Sequence, residues 1–556
     1  MSSPYIKALV SPTSPLMDSL SAIPSRLSDV EDPPIDQIPY AVNRRPSLEG
    51  TISDVKDLKE EPGTRRQSIS TIAVHHINEK TDEEESFLVD WDGPEDMENP
   101  KNWSNSQRWY ITGLTGALVF NATFASSSPS GIIPQMKNTL AFQRRGPLLW
   151  GPLSETYGRR PIFIISFFMS TLFQMACALS KNTASMLIFR FLGGCFAASP
   201  LANSGAVMAD VWDARIRGKA LTVFALGPFA GPALGPAVGG FIGDSGASWR
   251  WLFWTITIFS AVVLILVILT LPETYAPTIL KRKAKQRRLE TGNDKWHAPL
   301  ESVSVPLTER LSEIIGKPFK LFFQEPMLFA ITMYLAFAYG CLYLLFEAYP
   351  IVFQEGHHFK AGIAGLMFLP LLVGSAIGCL MTLVYYDPQY NALCDQYAPN
   401  PVPPEARLPS CIVGGVFLVI SFFWFGWTSY PSISYWSPMI AGGAFGLGMQ
   451  LIFLSLINYI VDVYLSVAAS ALAVTVIVRS VFGAGFPLFA RQMYNKLNPR
   501  WASTLLGFIT LLLVPIPILF VRYGPYLRSK SKNMPAASRD TVVLPSRKTL
   551  PKELEV

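Results

Sequence analysis

The stretch "QMKNTLAFQRRGPLLWGPLSETYGRRP", Gln135–Pro161, separates two long apolar runs and decides the topology. Whether the chain crosses a membrane here depends on what surrounds it. The 556 residues are 50% hydrophobic and only 15% charged, against about 25% charged in a soluble globular protein. Mean hydropathy is positive. Eleven runs come close to the roughly 20 residues that a helix needs to span hydrocarbon. They are Trp109–Ser128, Pro161–Leu179, Ala184–Ala209, Ala220–Gly243, Trp251–Leu271, Pro326–Pro350, Ala361–Val384, Cys411–Ser429, Tyr435–Ile460, Leu465–Ala490 and Trp501–Val521. The fold class is therefore all-α integral membrane.

Orientation follows from the short loops, because basic residues stay on the cytosolic side. "WDARIRGKA" (Arg215, Arg217, Lys219), "KRKAKQRR" (Lys281 to Arg288) and "RYGPYLRSKSK" after the last run all belong there, as do Lys101 and Arg108 before the first. Both termini are expected in the cytosol. The run Trp109–Ser128 then leaves the cytosol, and so does Pro161–Leu179, so parity demands a return between Met136 and Tyr157. Lys137, Arg144, Arg145 and Glu155 cut that interval into uncharged pieces too short for the task. A nine-residue helix reaches roughly 14 Å, and each arginine at mid-membrane costs at least about 2.5 kcal/mol. A twelfth helix, second in order, is implied by its neighbours and truncated near residues 138–154.

The organisation expected is a disordered cytosolic tail (1–100), a first helical bundle (101–272), a charged cytosolic linker (273–325), a second bundle (326–522) and a closing cytosolic tail (523–556). The tail is rich in acids, Pro and Ser and lacks the apolar residues for a core. No basic segment followed by an apolar run opens the chain, so no signal peptide is read. The two halves echo each other: Asp-Val-aromatic ends one helix at Asp210 and its counterpart at Asp462, each before a small-residue helix. Repeated six-helix halves are how transporters place a substrate site near mid-bilayer. The net charge of +6 sits in short loops, the pattern of a membrane protein's inner face, and no nucleic-acid partner is expected. The six cysteines show no metal or redox spacing and read as packing residues.

The run "ALGPFAGPALGPAVGG" is the most specific motif. Gly227, Gly231, Gly235 and Gly239 recur every four residues, followed by Gly240, with Pro228, Pro232 and Pro236 after the first three. That period places the glycines on one face, where a neighbouring backbone can approach closely, and each proline removes a helical hydrogen bond. A kinked packing helix and a helix that regulates rocking between inward- and outward-open states are both consistent with it. "GPLSETYGRR" supplies Gly151, Glu155, Gly158, Arg159 and Arg160, a carboxylate beside two arginines suited to latching helix ends. Arg190, Glu347 and Arg479 are charges inside apolar runs, where a functional reading is the default. Glu347 is a candidate proton carrier, and Arg479 is expected to face a cavity or a paired acid. Tyr343, Phe346, Trp424 and Phe425 are candidates for stacking on substrate. Ser47 and Ser68 end basic kinase-type motifs. Asn121 stands in a glycosylation sequon within the first helix, a poor place for a glycan.

These residues together resemble the major facilitator superfamily, and within it the fungal drug–proton antiporter branch of multidrug and polyamine exporters. The carriers are "GPLLWGPLSETYGRRP", "RFLGGCFAASPLANSGAVMADVWDARIRGKA", the Gly-Pro run, "WRWLFW", "LPETYAPTILKRKA", "PEARLPSCIVGG", "GMQLIFLSLINYIVDVY" and "VRSVFGAGFPLFARQMY". The resemblance implies twelve helices in two six-helix bundles and proton-coupled export of a drug, toxin or secondary metabolite. A polyamine cargo is the alternative. It also implies a monomer in the plasma or vacuolar membrane, with a small-molecule substrate, protons and lipids as partners. No cofactor beyond the proton gradient and no enzymatic activity are expected, since no nucleophile–base pair or Walker-type loop appears. In the family "GPLLWGPLSE" closes the second helix after an apolar half, and here "AFQRR" stands in that place. The hypothesis is that coding sequence was lost at this point through a mispredicted exon boundary; a real internal deletion, leaving a non-transporting remnant, is the alternative. A cDNA read across Gly131 to Pro161 tests it. About twenty apolar residues between Phe142 and Gly146 restore the helix, and a transcript matching the present sequence overturns the hypothesis.

Overall fold

The computed structural model describes residues 87–135, 150, 153–155, 157–299, 301, 307–398, 400–464 and 467–531. Ser47, Ser68, Gly151 and most of the truncated second helix lie outside them. The order is α1 Asn105–Ser127, α2 Arg159–Leu179, α3 Thr183–Val211, α4 Ile216–Asp244, α5 Arg250–Thr270, α6 Ala276–Thr291 and α7 Leu307–Gln324. The second half follows with α8 Pro326–Gly356, α9 Ala361–Tyr397, α10 Pro404–Thr428, α11 Trp436–Val463 and the long segment Ser470–Lys530. That last segment breaks at Asn498, where φ is 59° ahead of Pro499, and so forms α12 (470–497) and α13 (499–530).

Among the described residues nine helices are long and apolar enough to cross a membrane, Ser470–Lys530 counting once. α1 has the length, at 23 residues, with an apolar content diluted by Asn, Thr and Ser. Each of the eleven runs thus becomes a helix, and the chain is an integral membrane protein. Local chemistry fixes several boundaries. The Ser104 hydroxyl accepts from Gln107 N at 3.3 Å to start α1, and Asn182 Oδ1 accepts from Ser185 N at 2.8 Å to start α3. Gly292, at φ 67°, ends α6 in the left-handed conformation.

α1 packs on α3, α4 and α5, and α2 on α3 and α5. In the second half α8 lies against α12, and α10 and α11 pair. α8 and α11 are the most enclosed spans, inside a continuous aromatic and aliphatic core. α5 is different: Ile258, Val262, Ile265 and Leu269 expose one stripe, with Leu269 73% exposed. A stripe of that length suits acyl chains and not water.

The expected tail through residue 100 needs correction at its end, because residues 87–103 form an ordered strap on α6. Val89 N donates to the His297 carbonyl at 2.9 Å, and His297 N to that of Phe87 at 3.1 Å. Val89, Leu280, Ala284 and Ala298 are buried beneath the strap. Lys283 Nζ bridges Asp92 at 2.5 Å and Asp96 at 2.6 Å, and Arg287 pairs with Asp92. The hydrogen bond from Lys283 holds the Asp96 carboxyl down at about 2. The linker is likewise more than a charged coil, since it carries the two helices α6 and α7. Sequence reading assigned both regions by charge and missed Val89, Trp91 and Leu280, whose spacing is too sparse to register as a core.

Candidate functional site

α4 carries the Gly-Pro run and stands where the two halves meet. Its period-four glycines face α1. A Cβ on Gly227 would lie 2.9 Å from the Gly116 carbonyl oxygen, one on Gly231 2.6 Å from Phe124 N, and one on Gly235 2.8 Å from Ser128 N. Gly239 meets the Ser128 carbonyl. Side chains of any size would hold these backbones apart. Ser127 Oγ crosses the gap and donates to the Gly231 carbonyl at 3.0 Å. Pro232 and Pro236 lie inside the helix, where each lacks the amide hydrogen of a regular turn.

Gly240 turns to the other side and meets the Ala361 carbonyl of α9. One turn farther, Asp244 accepts from Ala361 N at 3.2 Å and from Gly362 N at 2.7 Å. A carboxylate ending one helix thereby caps the next half's helix, satisfying amides that have no intrahelical partner. Ser130, Gly131, Pro236, Tyr349, Gly365 and Phe368 pinch the space between the halves to a narrow cleft at this end.

At the opposite end of α2 and α3, Arg159 Nε pairs with Asp210 Oδ2 at 3.1 Å, and its Nη1 donates to Ser154 Oγ at 2.5 Å. Its guanidinium lies 4.8 Å from the Tyr275 ring centroid. The buried Glu273 accepts from Arg159 N at 2.8 Å and Arg160 N at 3.3 Å, capping α2. Gly158 is required twice, by φ 95° and because a Cβ would enter the Glu273 carboxylate. The expected latch through Glu155 is therefore corrected: that side chain is exposed, and Asp210 and Glu273 make the contacts. Trp150 and Ser154 still dock on α3, with Trp150 Nε1 donating to the Cys195 carbonyl at 2.7 Å and Ser154 Oγ bonded to Asn203 Oδ1 at 3.1 Å.

The second half repeats this with the same atoms. Arg407 Nε pairs with Asp462 Oδ2 at 3.0 Å and stacks 3.6 Å from the Tyr390 centroid. Arg528 pairs with Glu405 at 2.9 Å, both side chains about one-tenth exposed. In the first half the acid comes after α5 and meets the start of α2. In the second the acid starts α10 and meets the end of α13, so the charges have exchanged helices.

The intramembrane charges part company. Arg190 lies 5.7 Å from the Phe253 centroid, and its Nη1 is buried without a partner. Glu347 is half-buried one turn beyond Tyr343. Arg479 faces ring carbon, 5.1 Å from the Tyr339 centroid and 5.7 Å from that of Phe453. Among the described residues no carboxylate pairs with it, so of the two expectations, a cavity or a paired acid, the paired acid is not found. Two ring faces contribute about 0.5–1 kcal/mol each where exposed and about 2 kcal/mol each where desolvated, against about 2.5–3.5 kcal/mol for an arginine at a helix centre.

Tyr339 OH donates to Tyr343 OH at 3.3 Å, and Tyr343 OH bonds Ser126 Oγ of α1 at 3.1 Å, joining the halves at this level. Phe229 of α4 meets Phe453 of α11 edge to face at 6.0 Å. Of the aromatics expected to stack on substrate, Tyr343 is in this cluster and Phe346 packs against it. Trp424 instead donates to Ser437 Oγ at 2.9 Å and Phe425 stacks on Tyr349. Asn121 is buried, with Oδ1 accepting from Ser260 Oγ at 3.1 Å, which excludes it as a glycan acceptor. Sequence reasoning passed over Tyr339 and Gln450; the latter is fully buried against Gly378 with neither amide atom partnered. A lone amide in the apolar run "GMQLIFL" was the available signal.

The model of the major facilitator superfamily matches residues 146–487. The chain belongs to the major facilitator superfamily. The match to this superfamily begins immediately after Arg144–Arg145. Among relatives, the citrinin biosynthesis cluster MFS transporter mrr1 of Monascus ruber is 39% identical over 470 residues, 81% of this chain and 93% of that protein. The multidrug transporter mdrA of Aspergillus fumigatus is 38% identical over 464 residues, covering 81% and 76%. The efflux pump FUBT of Fusarium oxysporum is 37% identical over 454 residues, covering 79% and 76%. Solved structures share the fold. The proton:xylose symporter XylE gives a TM-score of 0.52 at 16% identity, covering 79% of this chain and 99% of that one. The human organic anion transporter MFSD10 gives 0.53 at 15% identity, covering 75% and 100%.

A substitution of Gly231→Val should force α1 and α4 apart. The expected loss is about 1–3 kcal/mol from overpacking, with loss of transport. Gly113→Val, where a Cβ would meet nothing within 4 Å, should leave the melting temperature within a few degrees of the parent's. Equal melting temperatures for the two variants would contradict the close-contact reading.

Proposed function

We propose that this chain is a proton-coupled exporter of small organic molecules, a drug, toxin or secondary metabolite. Its proposed place is the plasma membrane, as a monomer with both termini in the cytosol. The observation that carries the reading is the seam on α4, where backbone meets backbone on α1 and a carboxylate from α4 caps α9. Small-residue contacts allow two discrete packings at little side-chain cost. Alternating access requires such a bistable contact at one end and a second at the other. The Arg159–Asp210 and Arg407–Asp462 pairs are proposed to hold the cytosolic ends of each half together, and Asp244 on Ala361 and Gly362 is the proposed latch between the halves at the outer end. Glu347 is the proposed proton acceptor, reachable from the cluster around Tyr343. Arg190 is proposed to hold α3 against α5 through Phe253. The relatives named as efflux pumps and multidrug transporters support the direction of transport.

A polyamine cargo is disfavoured, because the cation at the centre is Arg479 and a polycation would be repelled by it. The remnant reading keeps one observation, the charged Lys137, Arg144 and Arg145 standing where the apolar half of the second helix is expected. An energised efflux assay separates the readings. Cells producing the chain should retain less of at least one of two dyes, the anion fluorescein and the cation rhodamine 6G, than control cells, and an uncoupler should abolish the difference. Equal retention with and without the chain would sink the exporter reading.

A further inference from the structure

Resting on the exporter reading, we propose that the cargo is a planar organic anion, bound at mid-height by Arg479 between Tyr339 and Phe453. The observation is a cation between rings of α8 and α11 for which the described residues hold no counter-charge. The arginines at the cytosolic ends have acids, Arg159 with Asp210, Arg407 with Asp462 and Arg528 with Glu405, whereas Arg479 shares the lack of one with Arg190, which lies against Phe253 within the first half. Among the described residues Arg479 is held by ring faces from α8 and α11. Intramembrane charges pair with other groups or mark a ligand path, and the described residues supply no pairing acid here.

The surroundings define what would supply it. A guanidinium presents its donors in a planar fork that matches a carboxylate or sulfonate with two parallel bonds. Its ring contacts leave edge donors available for that fork. Tyr339 and Phe453 lie against it, Tyr343 packs on Tyr339, and Phe229 reaches Phe453 from the first half. Such rings stack on a flat apolar body. Gly483, one turn from Arg479, lets both tyrosine rings lie against the α12 backbone; a Cβ there would lie 3.0 Å from Tyr339 and 3.4 Å from Tyr343. The Tyr339–Tyr343–Ser126 hydroxyl chain runs along the same wall and ties it to α1. A bound anion would therefore touch elements of both halves, as a cargo that couples to their rocking must.

The test compares three probes sharing one ring system: naphthalene-2-sulfonate, the neutral naphthalene-2-sulfonamide and the naphthalen-2-yltrimethylammonium cation. The full chain is reconstituted in proteoliposomes, and exchange of each probe against an imposed proton gradient is followed for the parent, Arg479→Gln and Arg479→Lys. The parent should move the sulfonate in preference to the cation. Arg479→Gln should lower sulfonate exchange at least about tenfold, the loss of one enclosed charge-assisted contact, and Arg479→Lys should restore part of it. Unchanged sulfonamide exchange in Arg479→Gln serves as the measure of intact folding. Preference for the cation, or sulfonate exchange indifferent to Arg479→Gln, overturns the anion proposal and leaves the exporter reading standing. If none of the three moves, the exporter reading falls and takes the proposal with it.

Discussion

The structure depends on how closely two backbones can approach when no side chain stands between them. On α4 four glycines at period four meet α1 from Gly116 to Ser128, and a fifth meets Ala361 of the other half. Lipid offers no hydrophobic drive for helices to associate, so contact of this kind rests on dispersion and on a few hydrogen bonds. Ser127 to the Gly231 carbonyl and Asp244 to two amides of α9 are those bonds. The same features that hold the seam make it separable, because no interlocked side chains have to be withdrawn.

The charged ends complement the seam. Arg159–Asp210 and Arg407–Asp462 use the same atoms at nearly the same distance, with an aromatic ring under each guanidinium. Two stretches that share the Asp-Val-aromatic echo have thus kept one geometry. The acid that locks each terminal helix has changed sides between the halves, Glu273 with the Arg159 backbone and Glu405 with Arg528. Helix pairing, and not the identity of the donor helix, is what the repeat preserves.

Much of this was legible in the sequence, and what was missed has physical reasons. Hydropathy runs mark each helix because a spanning segment has no water to satisfy its backbone. The glycine period fixed the face that α4 presents, and the Asp-Val-aromatic echo pointed to Asp210 and Asp462. It did not identify their partners, because Arg159 and Arg407 lie about fifty residues away in sequence and meet them only through the fold. Glu155 was favoured over Glu273 for the same reason: proximity in sequence stood in for proximity in space. The strap over α6 escaped notice because a few apolar residues within an acidic segment leave no periodicity. Arg479 was visible as a charge in an apolar run, yet the absence of a partner acid is a property of the assembled helices alone.

The most direct test of the account is whether the outer seam opens. Spin labels at Ser245→Cys and Lys360→Cys, both exposed beside the Asp244 cap, report the separation of α4 from α9. The cysteines that are not buried, Cys195 and Cys394, would be replaced by serine. Electron–electron double resonance in lipid should give two distance populations, the longer one changing in weight on acidification. A single population that does not respond to protons would contradict the seam as the moving element of a proton-coupled transporter.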